Sequence, residues 1–483
     1  MRVRREKLER LQAAGIEAYP VKVARTHSLA EVREENPDLP ADTNTGKNVG
    51  VTGRVIFIRN TGKLCFATLR EGNAELQAML SLSQVGEEAL AAWKSDVDLG
   101  DHVFVEGEVI TSKRGELSVL ADSWQLTAKS LRPLPVAHKP MGEETRVRQR
   151  YVDLIMRPEA RRMVEMRSAV RAALRGHLID QGFLEVETPI VQSVQGGATA
   201  RPFASHFNAF DADVVMRIAL ELPLKRCVVG GIDKVFEMGP VLRNEGADWT
   251  HNPEFTMLEV YQAYSDYDQI ADLTRDLYQV AARAVFGSTV ATHFDGTTID
   301  LGGDWERLSL YDLVSEALGE TITPETPLDV LQAHAERHGI AVNPAWVAGK
   351  VLEEIFEELC EDRLEGPVFI RDFPLDTSPL TRRHRTRPGV AEKWDLYIRK
   401  VEVATGYSEL TDPIDQRRRL VEQSLAAAQG DVDAMQLDED FLRALEYGMP
   451  PTGGMGLGID RLMQVLTGRG LRETVLFPFV RPE

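Results

Sequence analysis

Arg243 and Glu245 stand two residues apart in Phe236–Tyr261, FEMGPVLRNEGADWTHNPEFTMLEVY, and His251, Asn252, Phe255, Glu259 and Tyr261 follow within the same span. On a strand, residues two apart point to one side. An arginine beside an acid on such a surface can clamp a phosphate and hold an amino or ring nitrogen. GADWTHNP carries Gly, Asp, Asn and Pro and reads as a loop. Strand character resumes over Glu254–Tyr261, where Glu259 and Tyr261 share a face, so the whole segment predicts one hairpin.

A second stretch, Gly453–Met463, reads GGMGLGIDRLM. Its glycines allow a backbone to approach a ligand closely. Arg461 then opens a helical pattern continuing through Leu462–Leu466, aimed at whatever the glycines admit. Taken singly, R-x-E also fits a solvated surface hairpin, and a glycine run also fits an ordinary turn before a helix.

These residues need elements to hold them. Residues 1–47 open with a short charged helix and continue as connection. Over 48–133 the pattern becomes short alternating runs, VGVTGRVIFIRN, KLCFATLRE, ELQAMLS, DHVFVEGEVITS and GELSVLADSWQLTAKSL, with a helix inserted at Ser83–Lys94. About five strands with one helix predict a small oligonucleotide-binding (OB) barrel. Residues 134–144 are Pro-rich and polar and read as a linker. Residues 145–483 predict a larger α+β unit: a long helix over Pro158–Gln181, strands at Val214–Ala219, Pro367–Asp372 and Trp394–Val403, a helix from Leu222 to Val229, and a helical insertion within 262–370. No Rossmann fingerprint or P-loop lysine motif occurs.

The 483 residues carry a formal net charge of −19, which argues against a generally basic nucleic-acid binder but leaves room for local basic surface. Arg146, Arg148 and Arg150 in ETRVRQRY alternate as on one strand face and form a candidate patch, with a solvated linker as the other reading. Cys65, Cys227 and Cys360 are scattered, with neither metal nor disulfide spacing. No apolar run is long enough to span a bilayer, and the charged N-terminus is not followed by a signal peptide's apolar region. A cytoplasmic protein with buried thiols, not in a membrane, is the expectation.

The hairpin and the glycine run resemble motifs 2 and 3 of class II aminoacyl-tRNA synthetases, and Gly182–Ile190, GFLEVETPI, resembles motif 1 with Pro189 as its proline. MRIALELPLKRCVVGGIDKVFEMG and ATGYSELTDPIDQ narrow the likeness to subclass IIb lysyl-tRNA synthetases. DTSPLTRRHR, EKWDLY and MPPTGG look most like an actinobacterial branch. The resemblance covers nearly the whole chain and implies an N-terminal OB-fold anticodon-binding domain, a class II antiparallel-sheet catalytic domain and a homodimer. It implies lysine–tRNA ligation: L-lysine and ATP give lysyl-adenylate and pyrophosphate, and lysine then passes to tRNA(Lys).

The resemblance also assigns residues. Arg243, Glu245 and Arg461 are implied as catalytic. ATP would meet these three with His251, Asn252, Phe255 and Glu402, Phe255 stacking on adenine. Magnesium would be held by Asp395 and Glu402. Lysine would meet Gly197, Glu221, Glu259, Tyr261, Thr405, Tyr407 and Glu409, with Glu221 on the α-amino group and Tyr261 and Glu409 on the ε-ammonium. The anticodon would meet Phe66, Gln77 and Glu116, expected on three barrel strands. The residue types point the same way, because three carboxylates in one pocket suit a substrate with two ammonium groups. Departures from the family pattern are Leu220 for a proline, Pro223 for an aromatic, Thr405 for an asparagine and Asp395 for a glutamate. Asp395 and Thr405 resemble the actinobacterial branch, while Leu220 and Pro223 leave open a paralogue for a lysine analogue; a paralogue supplying lysine to a specialised acceptor is a further alternative. A non-catalytic binding paralogue is the third reading, opposed by Arg243, Glu245 and Arg461.

Overall fold

A computed structural model describes residues 1–135, 139, 141–246, 251–344, 346–428 and 435–481. Part of the expected 134–144 linker and the loop positions 247–250 lie outside the described residues. The chain forms two compact units, Met1–Arg161 and Arg162–Glu483.

In the first unit, strands β1 (Asn44–Thr61), β2 (Leu64–Glu71), β3 (Ala74–Ser81), β4 (His102–Thr111) and β5 (Leu117–Ala128) close a barrel in the order β1-β2-β3-β5-β4. Period-two alternation fills it: Cys65, Ala67 and Leu69 of β2 and Leu76, Ala78 and Leu80 of β3 point inward and are buried. The helix Leu82–Asp96 follows β3, and its buried Trp93 meets Trp124 edge-on at 5.1 Å.

This unit runs past the expected linker because Arg70 donates to the Ile155 carbonyl at 3.0 Å and Arg161 to Asn73 at 2.8 Å. ETRVRQRY is not a strand face. It spans the end of helix Glu143–Arg148 and the start of Arg150–Met156. Positions two apart on a helix point to nearly opposite sides. Arg148 pairs with Glu144 at 2.6 Å, and Arg150 is buried against Asp153 at 2.7 Å, so the three arginines build no single basic face.

The second unit is built on an eight-stranded sheet. Its strands are β6 (Leu184–Glu185), β7 (Lys234–Leu242), β8 (Glu254–Ala263), β9 (Glu306–Ser309), β10 (Val368–Arg371), β11 (Lys393–Ile398), β12 (Val401–Ser408) and β13 (Thr452–Gly458). They lie in the order β9-β10-β11-β12-β13-β8-β7-β6, antiparallel except for the edge pairs β9–β10 and β7–β6. Helix Tyr267–Phe286 starts with an Asp266–Gln269 capping box and packs Ile270, Leu277 and Tyr278 on one sheet face, with Leu258 and Val260 of β8 and Met455 and Leu457 of β13. The opposite face is left for the site.

One strand expectation needs correction, and the alternative of a glycine-rich turn does not hold. Trp394–Val403 is two strands, β11 and β12, joined at Arg399 and Lys400, both with positive φ. Neither is the Gly or Asn that marks such a tight turn, so the sequence hides it. Gly453–Gly458 belongs to strand β13 rather than to a turn, with the helix Ile459–Thr467 directly after it.

Candidate active site

Alternation along β8 divides its side chains: Leu258 and Val260 enter the core, while Phe255, Met257, Glu259 and Tyr261 line a cavity of about 330 Å³ on the other face. Gly197, Glu221, Arg243, Glu245, His251, Asn252, Glu402, Thr405, Tyr407 and Arg461 line the same cavity.

The β11–β12 register shifts by one residue between the Leu396–Ala404 and Tyr397–Glu402 pairs. Val403 is therefore the extra residue of a bulge, and the bulge resets the alternation so that Glu402 reaches the cavity along with Thr405 and Tyr407.

Arg243 and Glu245 lie just past the end of β7, at Leu242, so they do not share a strand face as expected. The Arg243 amide still donates to the Pro253 carbonyl at 2.9 Å, its guanidinium reaches the Ile218 carbonyl at 3.3 Å and lies over the Phe255 ring at 5.2 Å. Burial pushes the Arg243 guanidinium down from its ordinary value, opposed by Glu245 and Glu259. Arg461, in the first turn of its helix, donates to the Glu402 carbonyl at 2.6 Å. Asp460 beside it is buried, pairs with Arg167 at 2.5 Å and accepts the Thr256 amide at 2.8 Å, which ties that helix to β8.

Glu221, Glu259 and Glu409 are all buried. Glu221 Oε2 accepts the Tyr407 hydroxyl at 2.5 Å, and its Oε1 takes the Lys225 ammonium at 2.5 Å. Glu259 Oε1 accepts the Leu220 amide at 2.8 Å and Oε2 the Tyr261 hydroxyl at 2.9 Å. Glu409 Oε2 pairs with Lys225, while its Oε1 is buried with no hydrogen-bond partner among the described residues. Gly454 on β13 leaves room for that carboxylate, since a Cβ there would run into Glu409 Oε1 and the Tyr261 ring. Gly197 has φ +87°, and a Cβ there would come within 3.1 Å of Ala219, so this wall of the cavity admits only glycine without strain.

Burial, more than the crowding of acids, raises the carboxyls of Glu259, Glu402 and Glu409. Burial and then the Glu221 charge push Glu259 up to about 7, against the Leu220 amide and Tyr261. Burial also holds the Glu409 carboxyl well above its ordinary value, with Lys225 opposing. Asp395 has a buried Oδ1 without a hydrogen-bond partner among the described residues and its Oδ2 3.0 Å from Lys393. Burial, and then the Asp395 charge, push Glu402 up.

Two of the departures have local explanations. Leu220 supplies to Glu259 the N–H that a proline would lack. Pro223 sits in the first turn of helix Glu221–Val229, where an N–H has no intrahelical partner. Lys225 and Asp460 were missed from sequence. The spacing of Lys225 four residues after Glu221 was the available signal for the first.

In the barrel unit, Phe66 and Gln77 lie on the outer, partly exposed faces of β2 and β3, in neighbouring cross-strand pairs, Phe66–Met79 and Thr68–Gln77. Phe66 is outside the barrel core and carries the Arg59 guanidinium 4.6 Å from its ring centroid. Glu116 is exposed in the turn entering β5, not on a strand, and Gln77 pairs with Ser118 just beyond it.

Comparison with known proteins matches residues 142–481 to the family described as tRNA synthetases class II (D, K and N), and residues 49–127 to the OB-fold nucleic acid binding domain. The lysine–tRNA ligase of Kineococcus radiotolerans is 61% identical over 484 residues, spanning 100% of this chain and 97% of that protein. That of Mycolicibacterium gilvum is 61% identical over 483 residues, spanning 99% and 96%. The lysylphosphatidylglycerol biosynthesis bifunctional protein LysX of Rhodococcus opacus is 48% identical over 487 residues, but the match spans only 43% of that longer protein. With family and full-length relatives in agreement with the geometry of the cavity, the chain belongs to the lysine–tRNA ligases of the class II aminoacyl-tRNA synthetases.

Proposed function

We propose that this chain activates L-lysine with ATP and transfers it to the terminal ribose of tRNA(Lys), and that the cavity residues above carry the activation step. The observation that carries the lysine assignment is Glu409 Oε1, buried with no hydrogen-bond partner among the described residues and lying with the Tyr261 ring against Gly454, beside a cavity that Glu221, Glu259 and Tyr261 line. An ammonium group is the natural partner for that oxygen, because an unpaired buried acceptor is costly. Glu221 and Gly197 would hold the α-amino end; Glu409 and Tyr261 the ε-ammonium, with Glu259 beside them; Thr405 and Tyr407 would complete the wall.

ATP would lie over the β7–β8 hairpin, its adenine against Phe255, with Glu245, His251 and Asn252 around it. The lysine carboxylate, already ionised at neutral pH, attacks the α-phosphorus. The bond to the β,γ-diphosphate breaks, and its electron pair leaves with pyrophosphate. No protein nucleophile is needed. Arg243 and Arg461 neutralise charge that grows on the phosphate oxygens and hold the reactants in line.

Asp395 and Glu402 would hold magnesium. The fit rests on Asp395 Oδ1, buried with no hydrogen-bond partner among the described residues, and on Glu402, whose carboxyl is raised by burial and then by the Asp395 charge. When bound, the ion supplies positive charge to phosphate oxygens.

Phe66, Gln77 and Glu116 would read a single-stranded anticodon by stacking and base-edge bonding. We further propose a cytoplasmic homodimer, supported by exposed apolar side chains in and beside the GFLEVETPIV segment, among them Ile179, Leu184, Ile190 and Val191. Lysine-dependent pyrophosphate exchange followed by charging of tRNA(Lys) tests the function. Exchange with another amino acid but not lysine would overturn it.

A further inference from the structure

The lysine pocket contains a cation of its own. Lys225, on helix Glu221–Val229, is completely buried, with its ammonium on Glu221 Oε1 at 2.5 Å and on Glu409 Oε2. The Leu380 carbonyl lies 3.5 Å away, and the Tyr407 ring centroid 5.8 Å away. The remaining ionisable neighbours are Glu259 and Tyr261 of β8, which hydrogen-bond each other, and Arg243, which faces Glu245 and Glu259.

We infer that Lys225 is a specificity-determining residue: its ammonium, shared by Glu221 and Glu409, offsets one of the three pocket carboxylates, so that with all three ionised beside bound substrate the site takes two positive charges, the number a diamino acid brings. This rests on the lysine reading of the pocket proposed above. With Lys225 in place, Glu221 and Glu409 can share one resident ammonium, and Glu409 Oε1 is left with no hydrogen-bond partner among the described residues. A monoamino acid would leave one buried carboxylate uncompensated, and such a charge is expensive in a low-dielectric site. Burial pulls the Lys225 ammonium down, but Glu221 and Glu409 outweigh it and hold it above its ordinary value, in keeping with a permanently charged group.

Without that charge, Glu221 and Glu409 face each other with nothing between them, and one carboxyl takes up a proton. That proton must leave when lysine arrives. Lys225 therefore acts through the carboxylates, as a positioning residue.

The test is calorimetry of lysine binding in buffers of different ionisation enthalpy, with pyrophosphate exchange alongside. Lys225→Met should release about one more proton per lysine bound than the wild type. Its KM for lysine should rise about tenfold or more, and rise further as pH falls, with the KM for ATP nearly unchanged. Lys225→Arg, which keeps the charge, should retain the wild-type proton count. An unchanged proton count and pH profile in folded Lys225→Met would overturn the inference, as would the same extra proton in both variants.

If Lys225→Met does not fold, the wild-type enzyme decides. 1,5-Diaminopentane, with two ammonium groups, should inhibit lysine activation competitively at least about tenfold better than 1-aminopentane, with one. Equal inhibition by the two amines would show that the deficit is not two. Lysine-dependent exchange in the wild type is read separately, so failure of the charge count would leave the lysine reading standing.

Discussion

Tyr407, on strand β12, donates its hydroxyl to Glu221 Oε2 at 2.5 Å, joining the sheet to a helix that begins 186 residues earlier in the chain. Glu221 thus reaches the cavity with one oxygen set by Tyr407 and the other by Lys225. Tyr407→Phe keeps the ring but removes the donor. A hydrogen bond to a charged group contributes about 1.5–3 kcal/mol, part of which Lys225 retains, so the KM for lysine should rise roughly three- to tenfold. The KM for ATP should stay within about twofold, because the Tyr407 hydroxyl bonds to Glu221, which is not one of the proposed ATP residues. Steady-state pyrophosphate exchange measures both, and an unchanged lysine KM would remove Tyr407 from the pocket's working parts.

Arg243→Ala and Arg461→Ala should each slow lysyl-adenylate formation about 100- to 1000-fold, the usual loss for one preorganised donor. The two arginines enter from different elements, the end of β7 and the first turn of helix Ile459–Thr467, so neither replaces the other. Near-normal exchange rates in folded variants would refute the assignment.

Lysine binding should depend on pH through Glu259. Its carboxyl is raised to about 7 by burial and then by the Glu221 charge, so the unfolded chain ionises first and the folded one later. The penalty for the ionised form is absent below the ordinary carboxylate range and grows as pH rises toward 7. An ammonium beside Glu259 favours the carboxylate, so binding below about pH 7 must expel a proton. The KM for lysine should climb as pH falls from about 8 to 6, by up to about tenfold per unit at the low end. Glu259→Gln should flatten that climb. A lysine KM that is level over this range in the wild type would contradict it.

Phe66→Ala should weaken charging of tRNA(Lys) and leave lysine activation intact. Its ring lies outside the barrel core, so truncation opens no internal cavity. Stacking of a base on an aromatic ring contributes about 1–3 kcal/mol, which is roughly five- to 150-fold in the KM for tRNA. Equal loss of both activities, with the barrel folded by circular dichroism, would assign Phe66 a structural role.

Sedimentation at micromolar concentrations should show a homodimer. Glu substitution at Ile190 or Val191, both partly exposed beside Pro189, should shift the protein to monomer and reduce activity. A fully active wild-type monomer would exclude the interface.

Much of this protein is legible in its sequence because the signals are local. Alternation in β2, β3 and β8 announces strands and their two faces, and thereby identifies Phe255, Glu259 and Tyr261 as neighbours. The order of the three motif-like segments, with the GYSELTD run, is specific enough to name the family. What the sequence leaves open depends on contacts between distant segments. Alternation alone would not place Glu402 with Thr405 and Tyr407; the bulge at Val403 does, after a turn whose Arg399 and Lys400 carry no turn signature. The glycines of β13 read as room for a ligand, yet Gly454 makes room for Glu409 and Tyr261. ETRVRQRY alternates like a strand and folds as helix ends, where Arg148 and Arg150 each pair with an acid one helical turn away. Lys225 appears in sequence as one more charged helical residue. Only packing removes it from water and sets it between Glu221 and Glu409, where burial makes its charge count.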